Sequence, residues 1–267
     1  STVAAGTGEN QQPPPATCEI TPDRSNGDDD PVIDRGWAAD VRYVLDGGPG
    51  PDGIPPLELP NMDPPNFSSV PPWELVVGVK IGDEFRAYPH RILDYHEVVN
   101  DYLFFDGGEE TFTLSYCPLT GSAMLWEGNM ESSNSSFGTS GLLYNSNLIM
   151  YDRETRSYWS QMLEQAISGP ALLSVPDKIQ VVETTMQTWL NMYPQTLVMS
   201  EFTGFSRNYN VYPYGNYRDD QDLLFNVNNS DDDRLHRKER VVGITNRDEA
   251  LAFPISTFGS SVKVIND

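Results

Sequence analysis

The chain has 267 residues, a length that suits one large domain or two small ones. Asp and Glu total 39 against 17 Lys and Arg, and the formal charge of −22 disfavours nucleic acid as a partner, because phosphate binding requires a basic surface. No apolar run approaches the roughly 18 residues that a membrane-spanning helix needs. The 21 Gly and 21 Pro predict many turns and few long helices.

The N-terminal part predicts an exported protein. Residues 1–33 are rich in Pro and acidic residues and predict a flexible spacer, followed by a single β-rich domain over residues 34–267. The chain begins at Ser1 rather than Met, which suggests processing and a secreted, extracellular or cell-surface location, with a lipid anchor as one form of attachment. The acidic, lysine-poor composition also suits high salt and a halophilic source.

Two short patterns in the chain suggest modification or cation binding. Asparagines in glycosylation sequons occur at Asn66, Asn134 and Asn228. The run Asp28-Asp29-Asp30 could bind calcium, but no spaced set of oxygen ligands follows it, so a solvated acidic loop is the favoured interpretation.

The elements that follow predict an α+β fold that is predominantly β. Residues 45–73 are dominated by Gly and Pro and predict coil. Residues 75–81 and 85–89 predict an antiparallel hairpin, and residues 90–99 a short helix closed by Asn100-Asp101. Further strands are predicted within residues 102–105, 111–116, 123–126, 142–144, 148–151 and 157–160. A second short helix is predicted over residues 184–192, ending before Pro194.

One hairpin pattern occurs twice. Val76-Val77-Gly78-Val79 and Ala87-Tyr88-Pro89 return, at one constant offset, as Val241-Val242-Gly243-Ile244 and Ala252-Phe253-Pro254. The match predicts two hairpins of the same design in a pseudo-symmetric β-structure, with chance similarity as the alternative.

A polar segment over about residues 205–233 predicts a long surface loop, which is usually functional, mobile or an interface. It contains several tyrosines: Tyr209, Tyr212, Tyr214 and Tyr217. Their rings could stack on sugars or on a neighbouring subunit, and local packing on the same domain is the alternative.

Cys117 and His96 are the candidate reactive pair. Cys117 lies where a predicted strand meets a turn, and His96 lies on the first predicted helix beside Glu97. A thiolate and an imidazole are ligands for copper or zinc, and the same pair could act as a nucleophile and its base. Three interpretations of Cys117 stay open: a disulfide with Cys18, an inert buried thiol, and a reactive or metal-bound thiol.

Several ordered motifs resemble the family called domain of unknown function 3179. They are Arg86-Ala87-Tyr88-Pro89, Ile92-Leu93-Asp94-Tyr95-His96-Glu97, Tyr116-Cys117-Pro118-Leu119-Thr120-Gly121, Phe137-Gly138-Thr139-Ser140-Gly141 with Tyr144-Asn145-Ser146, and Tyr151-Asp152-Arg153. The resemblance spans roughly residues 34–256 and implies an exported or anchored bacterial or archaeal protein, without implying an activity. Many members have a second cysteine where this chain has Thr120, so a dithiol redox role is in doubt here.

Three functional hypotheses follow from these patterns. The first is a metal-binding, copper-like or redox site on Cys117 and His96, with Glu97, Tyr116 and Asn145 in the surrounding shell. The second is a structural subunit of a surface layer or filament, a homo-oligomer assembled through the N-terminal segment by strand addition. The third is a glycan-binding module that uses the tyrosines of the polar loop.

Overall fold

The computed structural model describes residues 36–128, 136–245 and 250–257. Two α-helices and a series of mostly short strands make up its regular structure. The helices are α1 (His90–His96) and α2 (Met186–Met192). The strands are β1 (Val44–Asp46), β2 (Leu57–Glu58), β3 (Met62–Asp63), β4 (Leu75–Ile81), β5 (Glu84–Pro89), β6 (Val98–Phe105), β7 (Gly108–Cys117), β8 (Ser122–Glu127), β9 (Phe137–Tyr144), β10 (Asn147–Asp152), β11 (Tyr158–Ser160), β12 (Gln165–Ser168), β13 (Lys178–Ile179), β14 (Val181–Thr185), β15 (Leu197–Met199), β16 (Val241–Thr245) and β17 (Ala250–Pro254).

The described strands form three five-stranded sheets and one separate hairpin. The sheet orders are β1-β9-β10-β11-β12, β13-β8-β7-β6-β2 and β14-β4-β5-β15-β3, and β16 pairs only with β17. Neighbours are antiparallel except for β15 with β5 and β2 with β6. The predicted class, predominantly β with antiparallel hairpins and two short helices, is confirmed.

Three of the sequence predictions need correction. The second helix begins at Met186 rather than at residue 184, because Thr184 and Thr185 belong to β14. The first helix ends at His96 rather than at residue 99, because Glu97 has a positive φ of 58° and Val98 begins β6. The apolar side chains of Val98 and Val99 fit a helical spacing and a buried strand equally well, and the break at Glu97 decides between them. Residues 45–73, predicted as coil, also contain two short strands. β2 pairs with β6, and β3 pairs with β15.

Aromatic side chains supply much of the core, as the composition suggests. One buried cluster contains Trp126, Phe137 and Trp159, whose ring centroids are 5.5 to 6.1 Å apart. The side chains of Cys117 and Val98 belong to this same cluster. The end of β7 is therefore anchored in apolar surroundings.

Residues 200–240, all of which are described, contain no helix or strand. We call them the covering segment. They connect β15 to β16 and include the predicted loop over about residues 205–233. Among the described residues, no helix has the length and apolar character needed to cross a membrane.

The two hairpins of the repeat have the same register. Val76 pairs with Pro89 in the first hairpin, and Val241 pairs with Pro254 in the second. The first hairpin lies inside a five-stranded sheet, whereas the second forms its own two-stranded sheet. The hairpin design is thus repeated, but its surroundings are not.

We predict that Gly78→Ala destabilises the protein by about 1–3 kcal/mol, because overpacking a rigid core forces neighbours to move. A Cβ at Gly78 would lie 2.4 Å from the ring of Trp189. That ring is buried, and its N–H donates to Thr196 Oγ1 over 2.9 Å, so it has little freedom to shift. Urea unfolding measures the change. Gly243→Ala is the matched control, since no described atom lies within 4 Å of its Cβ position, and equal losses in the two variants would contradict the prediction.

Candidate functional site

Helix α1 presents an unusual number of buried polar groups for its length. Three of its titratable side chains, His90, Asp94 and His96, are buried, and Glu97 is buried at its C-terminal end. Burying such groups costs free energy unless they find partners. Their partners therefore define what this helix does.

The site that includes Cys117 begins at the end of β7. Its thiol is buried and lies 3.7 Å from the carbonyl oxygen of Ser146, to which it donates. The chain then turns tightly, with the N–H of Gly121 donating to the Cys117 carbonyl over 2.8 Å. Cys117 is a free cysteine, and Cys18, its predicted disulfide alternative, lies outside the described residues.

Several groups act on the Cys117 thiol in opposite directions. Burial raises its pKa most, and the nearby Glu97 carboxylate raises it further. The hydroxyl and backbone N–H of Thr120 and the N–H of Leu119 oppose this by stabilising the thiolate. The net pKa is raised, so the thiol keeps its proton at neutral pH and needs a base to become reactive.

His96, the predicted partner of Cys117, has other neighbours. Its Nδ1 lies 2.7 Å from the carbonyl oxygen of Pro55, and its Nε2 lies 2.7 Å from the hydroxyl of Tyr209. Because a carbonyl can only accept, Nδ1 carries the proton and Nε2 accepts from the phenol. Burial lowers the pKa of His96, in agreement with this neutral ring. Both ring nitrogens are thus occupied by protein groups, and among the described residues no group of three or more His, Cys, Asp or Glu could hold a metal ion.

Glu97 is a titratable group whose charge acts on Cys117. Its carboxyl is buried, and Tyr214 of the covering segment donates to its Oε1 over 2.9 Å. Burial raises the pKa of Glu97 to about 7, with a smaller contribution from the charge of Asp94. A carboxyl with such a pKa can accept or release a proton near neutral pH.

A second carboxyl of α1 binds the covering segment through an ion pair. Arg218 donates from one nitrogen to both oxygens of Asp94, over 2.7 and 2.8 Å. The guanidinium carbon of Arg218 also lies 4.0 Å from the ring centre of Tyr212. Burial outweighs the attraction of Arg218 and raises the pKa of Asp94 to about 6.

The remaining contacts of α1 extend the same pattern. The hydroxyl of Tyr95 lies 3.1 Å from the carbonyl oxygen of Asn208 and 2.6 Å from that of Val211. Arg91 donates to the side chain of Asn210 over 3.0 Å. One short helix thus fixes much of the covering segment, and the segment's tyrosines pack on their own domain.

The other predicted residues of the site have structural contacts. The hydroxyl of Tyr116 lies 3.2 Å from Nδ1 of His90, whose pKa burial lowers to about 3. The side-chain oxygen of Asn145 accepts from the N–H of Asn228 over 2.8 Å, which joins this turn to the covering segment. Among the described residues, the hydrogen bond of the Cys117 thiol goes to Ser146 and to neither of these two.

A buried polar network lies on the strands next to Cys117. Gln161 accepts from Asn147 over 2.8 Å and from Ser122 over 2.9 Å. Thr120, where the resemblance implies a second cysteine in many members, contacts Ser122 and accepts from Asn147 over 2.9 Å. Because Thr120 has a hydroxyl and no thiol, it cannot form a dithiol with Cys117. Its hydrogen bonds to Ser122 and Asn147 fix the turn that follows Cys117.

Of the predicted sequons, Asn66 and Asn228 are exposed. Asn134 lies outside the described residues, as does the acidic run at residues 28–30.

The pKa shift of Glu97 predicts a specific pH dependence of stability. The folded state binds a proton that the unfolded chain releases above its ordinary pKa of 4.5, so stability is lost as pH rises from about 4.5 to about 7. Glu97→Gln keeps an acceptor for Tyr214 without the charge. We therefore expect the variant to be more stable than the wild type by roughly 2–3 kcal/mol at about pH 8, and nearly equal at about pH 4.

Urea unfolding at the two pH values measures this difference. Asp232→Asn, which neutralises an exposed carboxyl, controls for the change in net charge. A stability difference between Glu97→Gln and wild type that is the same at both pH values would contradict the assignment.

The comparisons with known proteins agree with the motifs of the sequence. A family model described as "Protein of unknown function (DUF3179)" matches residues 51–267. A search of curated proteins and a search of solved structures found no match. The matched range includes α1, the Cys117 turn and both hairpins, and it confirms the resemblance that the motifs predict. The chain belongs to the DUF3179 family.

Proposed function

We propose that the protein carries a thiol-dependent active site in which Cys117 is the reactive group and Glu97 takes up its proton. The observation that carries this proposal is the buried Glu97 carboxyl, with a pKa of about 7, close enough to the thiol to raise the pKa of Cys117. Perturbed titratable groups that interact in a buried place are typical of functional sites.

The chemistry follows from the two groups. Ionised Glu97 accepts the proton as the S–H bond of Cys117 breaks, and the resulting thiolate is stabilised by the N–H groups of Leu119 and Thr120. The thiolate then forms an S–C bond to an electrophilic carbon of the substrate, as in other cysteine nucleophiles. The displaced electron pair leaves with the group lost from that carbon, which takes the proton that Glu97 holds. Since Cys117 is only 1% exposed, the substrate reaches it when the covering segment moves.

A copper-like metal site on His96 and Cys117 has less support. Its imidazole would have to give up Tyr209 before Nε2 could bind a metal. Metal analysis of the wild type and of Cys117→Ala separates the two proposals. Metal that is bound to the wild type and absent from the variant favours the metal site, and any other result does not.

The other two hypotheses from the sequence are also less favoured. The filament hypothesis depends on residues 1–30, which lie outside the described residues. The glycan hypothesis needs free tyrosine faces, but Tyr214 donates to Glu97, Tyr212 packs on Arg218, and Tyr209 and Tyr217 are buried. An extracellular location stays part of the proposal, and it is supported by the Pro-rich segment at residues 1–33 and by the sequons at Asn66, Asn134 and Asn228.

We expect Cys117 to react with iodoacetamide faster as pH rises through about 7, because ionised Glu97 is the proton acceptor. In a Cys18→Ser background, Glu97→Gln should lower the rate at about pH 8 by on the order of a hundredfold, a typical contribution of a general base. Mass spectrometry of the alkylated protein gives the rate. A rate proportional to reagent concentration shows that opening of the covering segment is not rate-limiting. Amide hydrogen exchange of residues 205–217 in both proteins measures the opening equilibrium, and the rates are compared after correction for it.

Glu58→Gln is the matched control, since burial also raises the pKa of Glu58 but its carboxylate accepts from Asn100. Removal of a negative charge beside the thiol lowers the pKa of Cys117, so a purely electrostatic role predicts faster alkylation of Glu97→Gln. A rate equal to or above that of the wild type would therefore reject Glu97 as the base.

A further inference from the structure

The hairpin of β16 and β17 repeats the hairpin of β4 and β5 in sequence and in pairing. Gly78 faces Ala87 across the first hairpin, and Gly243 faces Ala252 across the second. All five described pairs of the second hairpin have the register of their counterparts in the first. The first hairpin therefore shows what a hairpin of this design packs against when its surroundings are complete.

In the first hairpin, both edges and both faces are covered. β14 adds antiparallel to β4 and places Val182 opposite Gly78, and β15 adds parallel to β5. Helix α2 follows β14 directly and lays the ring of Trp189 on Gly78, where a Cβ would collide with it. As a result Val76 and Val77 are fully buried.

The second hairpin lacks this cover among the described residues. No third described strand pairs with β16 or β17. Val241 and Val242 are 39% and 44% exposed, whereas their counterparts in the first hairpin are 0% exposed. No described atom lies within 4 Å of the Cβ position of Gly243, the counterpart of the glycine under Trp189.

These differences leave a surface suited to strand addition. An isolated two-stranded hairpin is only marginally stable in water, and its open edges offer unpaired N–H and C=O groups to another strand. A glycine inside a strand weakens it unless another group approaches closely. At Gly78 that group is an indole ring, and at Gly243 the corresponding place is open.

We propose that the β16–β17 hairpin binds a partner segment with the chemistry of β14 and α2. The partner strand runs antiparallel to β16, and a helical turn after it places a tryptophan ring on Gly243. Main-chain hydrogen bonds supply affinity, and the aromatic contact supplies selectivity, as in other cases of strand addition. This inference does not depend on the chemistry of Cys117.

A synthetic peptide with the sequence of residues 178–193 of this chain is the probe. It is titrated, with a fluorescent label, against the full chain up to millimolar concentration, with anisotropy as the readout. Amide hydrogen exchange then locates the bound peptide. We expect saturable binding and at least about tenfold slower exchange at residues 241–245, because the amides of an edge strand gain partners.

Gly243→Val and a peptide in which Trp189 is replaced by Ala are the matched controls. Each should weaken binding at least about tenfold, while Gly243→Val should keep the thermal stability of the wild type because no described atom lies within 4 Å of the Cβ position. Absence of binding at millimolar peptide overturns the proposal, and so does binding that survives Gly243→Val, which would indicate exchange with β14 in the first hairpin. Concentration-dependent dimerisation that Gly243→Val abolishes would instead identify a second copy of the chain as the occupant and overturn the proposed partner.

Discussion

The ion pair between Asp94 and Arg218 and the hydrogen bond from Tyr214 to Glu97 hold the covering segment over the end of β7. The segment has no helix or strand, so isolated turns and side-chain contacts, many of them with α1, fix its position. The pKa of Asp94 shows which effect is larger, because it is raised to about 6 although a cation lies against it. Desolvation therefore exceeds the attraction of Arg218, and the ion pair specifies the position of the segment more than it stabilises it.

The same burial couples the two groups of the proposed site. Closing the segment over Cys117 and Glu97 excludes water, which raises the pKa of both groups and strengthens their interaction. In such surroundings, transfer of a proton from the thiol to the carboxylate moves the single negative charge from Glu97 to Cys117. The transfer creates no additional buried charge. In the proposed site, the covering segment therefore affects the proton transfer as well as the access of substrate to Cys117.

The sequence patterns predicted helices and strands better than they predicted contacts between distant side chains. Alternation and turn residues were enough for the hairpin of β4 and β5, because its register depends on neighbours a few residues apart. The end of α1 was missed because a positive φ at Glu97 leaves no mark in the hydrophobic pattern. The sequence does not show that His96 contacts Pro55 and Tyr209 while Glu97 acts on Cys117, since adjacent side chains at a helix end point to different neighbours. The pairing of Asp94 with Arg218 joins residues 124 positions apart, and no local signal carries that information.

The two hairpins separate what local sequence determines from what tertiary packing determines. Equal sequence gives equal pairing, since Val77 faces Tyr88 as Val242 faces Phe253. Burial differs because only the first hairpin has flanking strands and a tryptophan above it. In the first hairpin, the close approach of Trp189 requires a glycine at position 78. In the second hairpin, no described atom lies close enough to require a glycine at position 243. Under the proposal of strand addition, a glycine that weakens its own strand and has no described atom near its Cβ position is half of a contact whose other half comes from the partner segment.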